Sequence, residues 1–167
     1  MKKLSVLFAA VMMVASVGMA KAQKIATMDV AAILNAMPEK KKADTEITTF
    51  VNGKQAEIKK KADAAQAKYE GYAKEAQTKT EAENKARGEE MQKLQQELAQ
   101  MEEKMRKDAT AKQDALFEPI EKKLMEAVNK VAKANGYEYI MDSNSQGLVY
   151  KGGPDATAAV KKELNIQ

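Results

Sequence analysis

"YEYIMDSNSQGLVYKG", residues 137–152, is the one long apolar, β-branched and aromatic stretch in the second half of a 167-residue chain. It follows roughly eighty residues dominated by Ala, Lys, Glu and Gln. Its pattern predicts a strand "YEYIMD", a turn "SNSQG" and a second strand "LVYK". An isolated hairpin of this size is at best marginally stable in water, so these strands need a partner.

Moving outward, "GGP" (152–154) breaks the chain and Asp155 is placed to cap a last helix, residues 156–164. On the other side, "LFEPIEKKLMEAVNKVAKANG" (116–136) carries a helical apolar stripe: Leu116, Ile120, Leu124, Val128 and Val131. Pro119 lies inside that pattern and should kink the helix or mark its entry into a compact body. Asn135–Gly136 is a stop signal, with Gly136 suited to a left-handed cap.

Residues 39–114 have the composition of a long exposed helix, with 17 basic and 16 acidic residues among abundant Ala and Gln. Met91, Leu94, Leu98, Met101 and Met105 alternate steps of three and four, an a/d seam. Ile47, Val51, Ile58, Ala62, Ala65, Tyr69, Tyr72 and Ala76 give a weaker stripe. Between them, "AQTKTEAEN" (76–84) holds no large apolar residue. A turn there folds 39–76 against 83–120, two arms of 38 residues each, about 57 Å long at the helical rise. Gly53, Gly71 and Gly88 lower helix propensity and suggest arms that bend.

At the other end, "KIATMDV" (24–30) reads as a strand and "AAILNAM" (31–37) as a helical turn or two. Pro38 and Glu39 suit the first turn of the long helix. Lys2 and Lys3, the apolar run 4–17 and "AKA" (20–22) describe a cleavable signal peptide, residues 1–22, cut after Ala22, with Ala20 the second choice. No Cys follows, which excludes lipid modification there. The chain is therefore expected to be exported.

Removing the leader takes away Lys2, Lys3 and Lys21 and no acid, so a net charge of +4 becomes +1. That balance excludes a nucleic-acid binder, which needs a basic surface to compete for phosphates. The triplets Lys40–Lys42 and Lys59–Lys61 read as solvated helix faces, with contact to an anionic membrane surface as the second reading. The chain has no Cys and no His, which removes disulfides, the usual zinc sites and Cys–His or Ser–His catalysis. The carboxylates are matched by Lys along helices, and "KGGP" lacks the ending of a phosphate loop. No enzyme, cofactor or metal is expected.

The strand-forming pieces thus sit at the two ends, separated by a helical hairpin, residues 39–116, with its tip near 76–84. Residues 23–38 and 117–167, 67 in all, must build one small α/β body. That is near the lower limit for a stable core without staples, and sharing a core with copies of itself is the simplest remedy. The fold class expected is mostly α with a small β body.

Order and spacing of these segments resemble the Skp (OmpH-type) periplasmic chaperones over essentially the whole chain after the leader. The residues that carry the resemblance are "KIATMDV", "ILNAMPEKKKAD", "LFEPIEKKLMEAVNKVAKANGYEYIMD", "GLVY" and "DATAAVKKEL". The resemblance implies a homotrimer whose strands form a shared β-barrel-like core. Three helical arms project from it and hold unfolded outer-membrane proteins without ATP. Candidate residues of the shared body are Ile25, Met28, Tyr139, Ile140, Met141, Leu148, Val149 and Tyr150. Met91, Met101 and Met105 are candidate client contacts, because Met adapts to varied apolar surfaces; their a/d spacing favours the hairpin's own seam. Well-known members are markedly basic and this chain is not, which weakens electrostatic capture of clients. A structural coiled-coil spacer or adaptor of the envelope is the alternative; it would favour stiff, unbroken heptads.

Overall fold

The computed structural model describes residues 23–166. The expected leader and its cleavage point lie outside the described residues. Among the described residues, no helix is long and apolar enough to cross a membrane. The chain runs β1 (Ile25–Met28), α1 (Val30–Ala36), α2 (Pro38–Glu75), a 3-10 turn (Ala76–Thr78), α3 (Glu81–Asn135), β2 (Tyr139–Asp142) and α4 (Thr157–Glu163). It divides into two compact units, one built from residues 23–30 and 127–165 and the other from 31–126.

The first unit is organised by strand pairing. β1 and β2 are parallel, in the register Ile25↔Tyr139, Ala26↔Ile140, Thr27↔Met141 and Met28↔Asp142. Glu138 N–H donating to Lys24 O and Ser143 N–H to Met28 O continue the pairing at both ends. On its other edge β1 meets residues 154–156: Thr27 N–H donates to Pro154 O, and Ala156 N–H donates to Thr27 O. β1 is therefore the central strand, and Ala26, Thr27 and Met28 are all buried. Ala127, Val128 and Val131 of α3, with Ala156, Val160 and Leu164, complete this unit's buried set.

Two helix ends here follow from local chemistry. Gly136 has φ 67°, Tyr137 N–H donates to Ala132 O and Gly136 N–H to Lys133 O, a Schellman cap that closes α3. The Asp155 carboxylate accepts the Thr157 N–H at 2.8 Å, holding the start of α4 as the sequence suggested. Hydrogen bonds from the Thr157 side chain and main chain hold the Asp155 carboxyl below its ordinary range.

The hairpin expected over 137–152 does not form. After β2 the chain makes two consecutive tight turns, with Ser145 N–H donating to Asp142 O and Leu148 N–H to Ser145 O. Residues 148–151 therefore do not return along β2 and carry no strand. β2 takes its partner from the far end of the sequence instead.

In the second unit, Met37 caps α2, Pro38 opens it and Glu39 lies in its first turn. Ile33, Met37, Ala43, Ile120 and Leu124 are buried. α3 continues through Pro119 without a break, although proline removes one helical hydrogen bond. Thr80 and Glu83 form a reciprocal capping box: Thr80 N–H and hydroxyl donate to Glu83 Oε2, while Glu83 N–H donates to Thr80 Oγ1. Asn84 Nδ2 donates to Ala76 O at 2.9 Å and fixes the turn.

Gly53 and Gly71 lie inside α2, and a Cβ added at either would meet no heavy atom within 4 Å. Gly53→Ala and Gly71→Ala should each stabilise the helix by about 1 kcal/mol. Thermal unfolding followed by circular dichroism should show the double variant melting above the parent. A lower melting temperature would contradict a helical backbone at these positions.

Candidate functional site

The described residues contain no cluster of acidic side chains able to hold a metal ion. What they present is apolar surface, one piece in each unit.

In the first unit, the outer edge of β2 pairs with no described segment. Along β2 the side chains alternate, with Tyr139 and Met141 exposed and Ile140 half-buried. Ile25 is exposed at the start of β1, while Met28 belongs to the chain's own core. Leu148 is half-buried. Val149 and Tyr150 are 98% and 84% exposed, the most uncovered large apolar residues among those described. Most of the residues expected in a shared body are thus accessible within one chain.

In the second unit, α2 and α3 are joined by ions. Lys61 Nζ bonds Glu97 at 2.6 Å, Arg87 Nη2 bonds Glu75 at 2.6 Å and Lys112 Nζ bonds Glu46 at 3.2 Å. Lys68 bonds Glu90 and Lys123 bonds Glu39. As numbers rise along α2 through 39, 46, 61, 68 and 75, they fall along α3 through 123, 112, 97, 90 and 87, which is antiparallel pairing. Tyr72 joins the same ladder: its hydroxyl donates to Glu90 Oε2 at 2.6 Å, and the Arg87 guanidinium lies 4.4 Å from its ring centroid.

Burial contributes little along most of this length. From residue 66 to residue 119 none is buried. Met91, Leu94, Leu98, Met101 and Met105 are half-buried. Ion pairs near the surface are screened by solvent and contribute little, so the distal arms are zipped weakly. Near the turn they line an open cleft of about 780 Å³ whose walls include Tyr69, Tyr72, Met91 and Leu98. Met105 lines a smaller groove of about 440 Å³ beside Ile58. The three candidate Met are therefore dispersed along the seam and do not form one patch.

Two features escaped the sequence reading. The capping box was legible as "TEAE" at 80–83. The Lys68–Tyr72–Glu90–Arg87–Glu75 cluster was not, because it depends on the register between arms and has no local signature.

Comparison with known proteins adds the following. The sequence pattern of the outer membrane protein (OmpH-like) family matches residues 24–164. No curated protein matches the chain. A crystal structure of an OmpH-like protein from Caulobacter crescentus superposes with a TM-score of 0.73 at 13% identity. The match covers 86% of this chain and 84% of that one, and it shows a shared fold.

Hydrogen bonds from Lys123, Lys68 and Lys61 hold the carboxyls of Glu39, Glu90 and Glu97 below their ordinary value of 4.5. A carboxylate lowered in the folded state stabilises it above that ordinary value. The contribution fades as pH falls through the lowered value. Arm melting temperature should therefore be flat through neutral pH and drop below about pH 4.5. Glu90→Gln should shrink that drop in a melting series against pH; an undiminished drop would assign it elsewhere.

Proposed function

The chain belongs to the OmpH-like outer membrane protein family, and from that premise we propose that it is an ATP-independent periplasmic holdase chaperone. Its clients are unfolded outer-membrane β-barrel proteins, which it keeps from aggregating on their way to the outer membrane. It acts without catalytic chemistry, cofactor or metal.

The observation that carries this reading is the unclosed seam of the arms. Over residues 66–119 a run of Met and Leu side chains stays half-exposed, and no residue is buried. Such a surface offers many weak apolar contacts and no single deep site. Holding requires that arrangement: a client is shielded from other clients without being locked into one conformation. Met contributes because its unbranched thioether adapts to irregular partners. Affinity then comes from several arms engaging one client, since linked weak sites raise the effective concentration.

Several arms require several chains. The open edge of β2, with Tyr139, Met141, Val149 and Tyr150 uncovered, supports assembly into a homotrimer through a shared β core. An unpaired strand edge beside exposed apolar residues is a template for pairing with another chain. In the trimer, Ile25, Ile140 and Leu148 join that interface. The alternative of a stiff envelope spacer suits these arms poorly, because they are held by exposed ion pairs and interrupted by a cavity.

The purified protein should suppress aggregation of several unrelated unfolded β-barrel proteins diluted from denaturant, measured by light scattering. Single Lys→Ala or Arg→Ala changes in the arms should alter suppression less than about twofold, in keeping with the modest worth of exposed charges. Activity toward one partner alone, or its abolition by one such change in an intact oligomer, would favour a dedicated adaptor.

Native mass spectrometry should give three times the chain mass. Ile140→Asp should dissociate or unfold the assembly, since it would bury a charge with no partner. A folded, monodisperse monomer of the parent chain would refute the assembly.

A further inference from the structure

The distal arm relies on sulfur for much of its apolar contact. Met91, Met101 and Met105 hold three of the five seam places in α3 that Leu94 and Leu98 complete. All five are half-buried, and no residue from 66 to 119 is buried. Met91 stands on the wall of the open cleft with Ala62, Ala65 and Tyr69 of α2, and Met105 lines the groove beside Ile58. Both therefore meet α2 at places that a solute little larger than water can enter. Met28 and Met37 differ, being 7% and 0% exposed. Met125 lies on α3 outside the seam and is 53% exposed. The chain has no Cys, His or Trp, so methionine sulfur is its softest nucleophile.

We propose that Met91, Met101 and Met105 form a reversible redox switch, whose oxidation by a peroxide loosens the arm and leaves the strand-paired unit intact. At each site the sulfur lone pair attacks one peroxide oxygen, so that an S–O bond forms as the O–O bond breaks. Sulfur gives up two electrons and the peroxide takes them. The departing hydroxide collects the proton of the transferred hydroxyl and leaves as water. The product is a sulfoxide, which turns a flexible apolar side chain into a polar one. A polar group is better solvated in water than in an apolar seam, so the oxidised arm favours opening. Little resists that change, because the arm there has no buried side chain and its cross-arm ion pairs lie near the surface. Met28 sits on β1 under cover, which keeps the pairing of β1 with β2 out of reach of the oxidant. Sulfoxide reductases, one kind for each epimer, return the thioether and close the cycle. The inference stands whether or not the arms hold a client, since its readout is the opening of the arm itself.

The purified protein is treated with hydrogen peroxide, and sulfoxides are located by peptide mass spectrometry. Met91, Met101 and Met105 should oxidise along with Met125, while Met28 and Met37 react at least about tenfold more slowly. Amide hydrogen exchange should then accelerate at least about tenfold over residues 84–108 and stay unchanged over residues 25–28. Treatment with both kinds of sulfoxide reductase should restore the original exchange. The triple variant Met91→Leu, Met101→Leu, Met105→Leu keeps the seam apolar at nearly constant volume, and its arm should not respond to peroxide. That variant retains Met125 and Met141, so any effect arising at those two sites would show in it as well. Met125→Leu should respond as the parent does. Seam sulfoxides with unaltered exchange over 84–108 would overturn the switch, and so would equal acceleration in the triple-Leu protein. Oxidation of Met28 and Met37 as fast as the seam would refute the division between an exposed seam and a shielded core.

Discussion

Everything in the first unit depends on four residue pairs, Ile25↔Tyr139 through Met28↔Asp142. Parallel strands cannot be joined by a tight turn; they need a crossover, and here the crossover is everything from residue 29 to residue 138. Closing so long a connection costs only slowly increasing entropy, roughly 0.6 kcal/mol for each doubling of loop length. Preformed helices reduce the freedom that must be lost. The closure is rewarded by burial, since Ala26, Thr27 and Met28 go under cover together with Val128, Val131, Val160 and Leu164. Small side chains at 26 and 27 let β1 be covered on both faces. The outer edge of β2 is left open, and the tight turns that follow it leave Val149 and Tyr150 uncovered.

The second unit is held by a different balance. Its buried residues, apart from Ala65, lie at 33, 37, 43, 120 and 124. Farther along the arms, stability comes from helix propensity, exposed ion pairs and the capping of α3. Fully burying a Leu or Met would contribute about 1.5–3 kcal/mol, more than any exposed ion pair supplies. The distal arm has therefore given up its strongest source of stability. That makes local opening inexpensive there, while the pairing of β1 and β2 is undisturbed. The two units are thus held by different means, one by strand pairing and burial, the other by weak contacts spread along the arms.

The sequence announced whatever depended on neighbours close along the chain. Pro38 and Glu39 open α2, Gly136 closes α3 in the left-handed region and Asp155 holds the start of α4, each through bonds spanning a few residues. Met91, Leu94, Leu98, Met101 and Met105 declared their helix by period. "YEYIMDSNSQGLVYKG" misled because its own composition suits a hairpin, whereas the competing partner "IATM" lies over a hundred residues away. β1 takes one edge of β2, and two consecutive tight turns over 142–148 stand where the single hairpin turn was expected, leaving the other edge open. The tip cluster was illegible for the related reason that Tyr72 and Arg87 meet only when the arms are in register. The family resemblance was readable from the order of segments, and the family match over residues 24–164 agrees with it.

The cross-arm pairs have a bearing on how such proteins vary in size. Each partner on α2 lies nearly as far before the turn as its mate on α3 lies after it. Equal lengths added or removed on both sides of that turn would leave the remaining rungs matched and residues 25–28 still opposite 139–142. The arm is in this sense a ruler whose length is independent of the unit that anchors it. Insertions of whole heptads in both helices preserve the seam, whereas a change in one helix alone shifts every rung. Arm length can thus drift by paired insertions, without renegotiating the strand pairing that defines the fold.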